Sequence, residues 1–324
     1  MSCYFLKMQR FLSILLLFVP LISQATPLLP RLDAFAKGPG LAFIVMKEGK
    51  IIRQGAYGFS DISILNLLKE KSRENIPIKL EFDPTASLDL KKILPTSIAS
   101  TPVKCKGLMH RKIVVIDHHQ VFLGSANFTT ASLRHHSNLV IGIDNKNLAN
   151  FLESPATTSY SFEIQNQRAH LFLLPDPTNQ GFDELLSYIQ AAEQKICIAM
   201  FTLTHPQIVD ALIQAQKRGV KVLIALDYYT AKGASKKALK KLEQAGIKIY
   251  LSQGRELLHH KWAFIDDTSL IMGSANWTKS AFTKNHDFLL FLPQLPKVHK
   301  KFLIKLWKII EVESTASIET YQAA

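Results

Sequence analysis

The sequence predicts an α/β fold made of two related halves. Three observations carry that expectation. Strand-like and helix-like segments alternate through the second half of the chain. Residues 62–83, ISILNLLKEKSRENIPIKLEFD, match residues 206–227, PQIVDALIQAQKRGVKVLIALD, at a constant offset of 144. The string HRKIVVIDHHQVFLGSANFT from position 110 is echoed by HKWAFIDDTSLIMGSANWT from position 259, an offset of 149. Two matching halves of this length imply a pseudo-two-fold relation.

In the second half, FDELLSYIQAAEQ from Phe182 has apolar residues at helical spacing, and ICIAMFTL from Ile196 reads as a buried strand. Pro206 opens the next helix, which Gly219 stops. VKVLIALD from Val220 is a strand, SKKALKKLEQAG a helix ended by Gly246, and IKIYL a strand. WAFID and SLIMG flank a turn, and DFLLFL is the last strand. The first half repeats this order up to LVIGI. It departs at its start, where LAFIVMKEGKIIRQGAYG reads as a hairpin around Glu48-Gly49. The expected division is a first half at 26–165, a second at 166–313 and a loose tail at 314–324. The polar stretch Asn150–Arg168, with Pro155, is the expected linker.

Residues 1–25 read as a signal peptide. Lys7 and Arg10 precede the apolar run FLSILLLFVPLIS, and small residues allow a cut after Ala25. The run is shorter than the ~20 residues of a spanning helix and contains Pro20. Export to the periplasm or medium is therefore expected, with an uncleaved N-terminal anchor as the alternative. Cleavage removes Lys7 and Arg10 and no acid, so the formal charge falls from +13 to +11. An exported chain this basic expects anionic partners: phospholipid headgroups, nucleic acid or acidic polymers. Cys105 and Cys197 remain; export permits a disulfide, and two buried free thiols are the expectation.

The chemistry lies in the two echoed strings. His110, Lys112, Asp117, Gly124, Ser125 and Asn127 correspond to His259, Lys261, Asp266, Gly273, Ser274 and Asn276. In strand geometry residues i and i+2 share a side, so each His and Lys point into one site. After a turn, Gly-Ser-Ala lets the backbone approach a ligand closely. Each half then offers an imidazole, an ammonium, a hydroxyl and an amide, a set suited to a phosphate.

The twofold pattern His-x-Lys-x4-Asp-x6-Gly-Ser-x-Asn resembles the HKD signature of the phospholipase D superfamily, from about Leu41 to Leu292. The likeness is nearest to small bacterial nucleases and mitochondrial cardiolipin hydrolase-type members. It implies a single active site at the interface of the halves, functional in a monomer and needing no metal or other cofactor. It also implies that one histidine attacks phosphorus, giving a phosphohistidine, while the other protonates the leaving oxygen. Lys112, Lys261, Asn127 and Asn276 would hold the nonbridging oxygens, with Ser125 and Ser274 in support. Asp117 and Asp266, across a strand from the pocket, are expected to be structural.

The resemblance also implies a carboxylate beside each histidine, 28 residues on. That spacing gives Asp287 for His259 and Asn138 for His110. His259 is then expected to be the more readily protonated, hence the first acid, with His110 the nucleophile. A carboxylate also makes an imidazole a better attacker, so the reversed assignment stays open.

Weaker features have plainer readings. His118-His119 and His135-His136 are expected to be surface turn histidines near the substrate mouth rather than metal ligands. Lys232, Lys236, Lys237, Lys240 and Lys241 form either a solvated helix face or a contact to an anionic surface. KVHKKFLIKLWKII (297–310) is expected to pack as a terminal helix rather than enter a membrane. Phe59, Phe128, Tyr228 and Trp277 lie near the predicted site loops. The expected function is phospholipid headgroup hydrolysis or transfer, as in a phospholipase D. The alternatives are a secreted non-specific endonuclease and, less favoured with both motifs intact, an inactive anion-binding module.

Overall fold

A computed structural model describes residues 14–18, 52–56, 58–164, 167–253 and 256–316. The first-half strands are β1 (Ile14–Phe18), β2 (Ile52–Ala56), β3 (Ile78–Phe82), β4 (Ala99–Pro102), β5 (Ile113–Ile116), β6 (Gln120–Gly124) and β7 (Asn138–Asp144). They form one sheet in the order β1-β7-β6-β5-β2-β3-β4. The remaining strands are β8 (Ser159–Ile164), β9 (Gln167–Leu173), β10 (Lys195–Met200), β11 (Lys221–Leu226), β12 (Lys248–Ser252), β13 (Lys261–Ile265), β14 (Ser269–Gly273), β15 (Phe288–Leu292) and β16 (Ser314–Ala316). They form a second sheet, β16-β12-β11-β10-β13-β14-β15-β9-β8.

The repeat is visible in these orders. In each sheet three parallel strands, β2-β3-β4 or β10-β11-β12, continue into an antiparallel meander, β5-β6-β7 or β13-β14-β15. The helices that lead into β3 and β11, Ile62–Arg73 and Pro206–Lys217, coincide at the offset of 144. The first is capped by Asp61, whose carboxylate accepts from the Ser63 and Ile64 amides; the second starts on Pro206.

Alternation along the strands sorts side chains between two cores. Ile196, Ile198 and Met200 face the helices, meeting Leu185, Ile189, Ile208, Leu212 and Leu242. Cys197 and Ala199 face the other way, into a core shared by both sheets. There Phe264, Leu270, Met272 and Leu290 join the same cluster as Val115, Val121, Leu123 and Ile141. The two sheets therefore pack face to face, with Leu148 and Leu152 of one helix and Leu303, Leu306 and Trp307 of another also packed into the shared core, an arrangement that brings corresponding strand ends together.

The structure alters the expected boundaries. The stretch 150–168 is not a bare linker: Lys146–Glu153 is helical, and β8 pairs with β9 in the second sheet. Irregular chain between the sheets is confined to 154–158. Ser314–Ala316, in the expected tail, pairs with β12. Ile14–Phe18, inside the apolar run, pairs in parallel with β7. The Glu48-Gly49 hairpin and the cut after Ala25 lie outside the described residues. The helix Lys297–Val312 buries Leu303, Leu306, Trp307 and Ile310, in line with core packing. Among the described residues no helix is long and apolar enough to cross a membrane.

Candidate active site

Each His-x-Lys string enters its strand while stitched to the other half. The His110 amide donates to the His286 carbonyl (2.8 Å) and the His259 amide to the Ser137 carbonyl (2.9 Å). One residue earlier, carboxylates at the ends of parallel strands take part. Asp83 accepts from the Met109 amide at 2.9 Å, and Asp227 from the Leu258 amide at 3.2 Å. These two aspartates are themselves 144 positions apart. Both strings are thus held at the C-terminal ends of parallel strands, facing one another across the pseudo-two-fold relation.

The four signature side chains are deeply buried: His110 and His259 are 5% exposed, Lys112 3% and Lys261 2%. Each ammonium donates back to the carbonyl of its own histidine, at 2.5 Å for Lys112 and 2.9 Å for Lys261. Burial pushes Lys112 down to about 7, against the pull of Asp287 and Asp83. Lys261 is held well below the ordinary lysine range by burial and then by Lys112. Burial lowers His110 to about 4, with Lys112 adding to the fall and Asp287 opposing it. His259 lies well below the usual imidazole range, through burial, Lys261, Lys112, His110 and His136. Groups from both halves repel one another here, so they form one site. An arriving anion would relieve that repulsion and restore the lost charge.

The pairing of histidines with their supports corrects the expectation drawn from the 28-residue spacing. His110 Nδ1 lies 2.7 Å from Asp287, and His259 Nδ1 lies 3.0 Å from the side-chain oxygen of Asn138. The partners are crossed between halves. The reason is topological: the segment leading into β7 runs beside the second string, with a parallel bridge between Ser137 and Leu258. The segment leading into β15 runs beside the first, with a bridge between Met109 and His286. The carboxylate therefore favours protonation of His110, and the reading of His259 as the more readily protonated histidine is overturned. Asn138 is oriented unambiguously. Its nitrogen donates to the carbonyls of Ser132 (2.9 Å) and His136 (3.2 Å), so its oxygen faces His259 and accepts from Nδ1–H. On both imidazoles Nδ1 is thereby engaged, leaving Nε2 for chemistry.

The Gly-Ser-x-Asn segments behave differently from one residue to the next. A Cβ on Gly273 would sit 2.1 Å from the Phe288 carbonyl oxygen, and one on Gly124 2.6 Å from that of Leu139, so only glycine permits these close approaches. The serines do not reach for phosphate. Ser125 donates to Asn138 (2.9 Å) and Ser274 to Asp287 (2.6 Å), each also accepting a backbone amide. They fix the histidine supports. The side-chain oxygens of Asn127 and Asn276 are buried without a hydrogen-bond partner; as acceptors they cannot meet a phosphate oxygen, and a contact with one would fall to the amide nitrogens.

Asp117 and Asp266 lie at the far ends of their strands, in hairpin turns with left-handed backbone (φ 52° and 50°). Asp266 accepts from the amides of Glu193, Gln194 and Lys195 at 2.8–3.0 Å, tying the turn to the start of β10. His118 and His119 share the first turn, paired with Glu153 and Asp144. They sit at the opposite end of β5 from His110, a correction to their expected place near the mouth. Among the described residues no group of three or more His, Cys, Asp or Glu could hold a metal ion. Cys105 and Cys197 are both free; Cys197 is buried, whereas Cys105 is only partly so.

Two neighbours of His259 escaped the sequence reading. Phe201 packs its ring 4.9 Å from the His259 ring and 5.0 Å from the Lys261 ammonium. It follows β10 directly, and the buried run ICIAMFTL concealed its role. His136, read as a surface turn residue, lies 6.2 Å from His259, centroid to centroid. Phe59, Phe128 and Trp277, by contrast, are core residues.

A family model described as "Cardiolipin synthase, PLD-like domain" matches residues 47–155 and 185–309, well over half of the chain. The mitochondrial cardiolipin hydrolase of Xenopus laevis is 30% identical over 135 residues, 40% of this chain and 63% of that protein. The phospholipase D of Rickettsia prowazekii is 34% identical over 108 residues, 33% of this chain and 52% of that one. The chain thus spans less than two thirds of these curated relatives. The phosphatidylserine synthase of Haemophilus influenzae shares the fold, with a TM-score of 0.65 at 12% identity over 83% of this chain and 82% of that one. With two complete motifs converging on one site and a family model matched across both halves, this chain belongs to the phospholipase D superfamily.

Proposed function

We propose that the chain is a metal-independent phosphodiesterase acting on phospholipid headgroups through a phosphohistidine on His110. One observation carries this reading. Two buried imidazole–ammonium pairs face each other, with the Asp287 carboxylate on His110 and the neutral Asn138 amide on His259. Such a site suits the extra charge of a pentacoordinate phosphorus. The Nε2 lone pair of His110 attacks phosphorus as the P–O bond opposite breaks. The leaving oxygen takes the proton from His259 Nε2. Water or another alcohol then returns a proton to His259 as its oxygen bonds to phosphorus, and the P–N bond breaks. Lys112, Lys261, Asn127 and Asn276 hold the nonbridging oxygens. Both sets lie on one chain, so a monomer suffices.

Lipid is favoured by the names of the relatives and by exposed apolar groups close to the strings. Leu108, two residues before His110, is 36% exposed, and Tyr229, on the helix after Asp227, is 59% exposed with Lys232 and Lys236 nearby in sequence. A peripheral contact with an anionic membrane surface fits these side chains. Export after cleavage following Ala25, which would also remove β1 from the edge of the first sheet, fits the same substrate, and the mass of the chain isolated from the cell envelope reads that cut. The surplus of basic residues favours nucleic acid as the second reading.

The deciding experiment incubates the protein in EDTA with phosphatidylcholine, cardiolipin and single-stranded DNA in parallel. Turnover of the lipids alone is the expected result. Cleavage of DNA alone would move the chain to the nuclease reading, and loss of all activity on chelation would overturn the metal-independent mechanism.

A further inference from the structure

One imidazole beside His259 has no task in the reaction above. His136 is half-buried, its ring centre 6.2 Å from that of His259 and tilted by 50°. Its Nδ1 is buried and has no hydrogen-bond partner. Its carbonyl accepts from Asn138, the amide that orients His259. The internal repeat shows that an imidazole is not required there for folding. The counterpart of His136, 149 positions on, is Asn285, whose side-chain oxygen accepts from the Leu108 amide at 3.0 Å. The half that has an amide in place of a carboxylate against histidine is thus the half with an extra imidazole.

His259 has a supply problem that this imidazole can solve. It is nearly inaccessible and faces Lys261 on its own strand, Lys112 and His110 from the other half, and His136. Between turnovers, with no anion bound, these neighbours disfavour its charged form. The proton needed by the leaving oxygen must then return when the next phosphodiester arrives, although the substrate covers the mouth. His136 faces His135 and Lys261 as well as His259, and it is the more exposed imidazole of the pair.

We infer that His136 is a positioning residue that carries the proton between solvent and His259. One proton leaves His259 through His136 when the anionic product departs, and one returns by the same route when substrate binds, so the cycle balances. The inference rests on the phosphodiesterase reading and adds a residue to it.

The leaving group separates this role from a structural one. An alkoxide must be protonated as it leaves, whereas 4-nitrophenolate need not be. The test compares His136→Ala and His136→Asn with the unmodified chain on two probes. One is bis(4-nitrophenyl) phosphate; the other is whichever of micellar phosphatidylcholine and single-stranded DNA the unmodified chain cleaves. On the alkyl substrate a loss on the order of 10- to 100-fold is expected, at or just below the range of general acid catalysis. Added imidazole should restore activity to His136→Ala, and the nitrophenyl diester should show little change. Equal losses on both probes, or no rescue by imidazole, would overturn the relay and leave His136 as packing. An unmodified chain inert to every probe would overturn the phosphodiesterase reading, and the relay with it. His136→Asn installs the residue that the second half already carries at the matching position, which guards against failure to fold.

Discussion

Replacing His110 by alanine is expected to lower turnover of an alkyl phosphodiester by about 10⁴-fold or more, replacing His259 by a similar factor, and replacing both by little beyond either alone. The expectation follows from the shared site. Attack and leaving-group protonation occur in one step, so losing either partner removes most of what the other contributes. Two independent sites would instead leave each single variant with the activity of the intact site, and only the double variant would lose it. Stability separates the two variants. His110 is the partner of the buried Asp287 carboxylate, so alanine at 110 leaves that charge without its imidazole and should lower the denaturant midpoint. His259 rests on the neutral Asn138 amide, so alanine at 259 should lower the midpoint less. A variant that is unfolded at the assay temperature would attribute its loss of rate to unfolding and void the kinetic argument.

Much of the frame was legible because its signals are local. Helix starts such as Pro206, the glycine stops at Gly219 and Gly246, and the alternation of ICIAM are written within a dozen residues. The paired strings named six of the site residues for the same reason. What the sequence could not show is which half each support faces. Asn138 stands 28 residues after His110 and Asp287 28 after His259 whether the contact is made within a half or across it. Only the packing of the sheets, with Ser137 bridged to Leu258 and Met109 to His286, decides the matter. His136 was missed because a histidine after a short helix reads as surface; its contact with His259 spans 123 positions. The serines were expected in support, but what they support was hidden for a related reason: a hydroxyl in a phosphate-like motif looks free until its partners, Asn138 and Asp287, are placed.

The crossed pairing makes Asp287→Asn the most informative change to the charge of the site. Asparagine should preserve the geometry, because Asn138 already shows how an amide serves a histidine here. Its nitrogen donates to the carbonyls of Ser132 and His136, whose counterparts at an offset of 149 are Ala281 and Asn285. The second oxygen of Asp287 is buried without a hydrogen-bond partner, as expected for an acceptor placed where the amide has a donor. The substitution thus removes charge and little else. Asp287 raises His110 through its charge and hydrogen bond, so without it His110 should fall further below about 4. His110 must be neutral to attack, and its neutral form will then persist to lower pH. The acid limb of kcat/KM should shift downward even as kcat drops by on the order of 10²-fold or more, because the forming phosphohistidine cation loses its counter-charge. Structural damage would lower the rate without moving the limb. The converse change, Asn138→Asp, puts a carboxylate against His259 and should raise it, so the proton is held to higher pH and the alkaline limb moves up. Mass-spectrometric mapping of the trapped intermediate completes the test. Phosphate on His110 is the expected result; phosphate on His259 would reverse the roles and make Asn138 the support of the nucleophile.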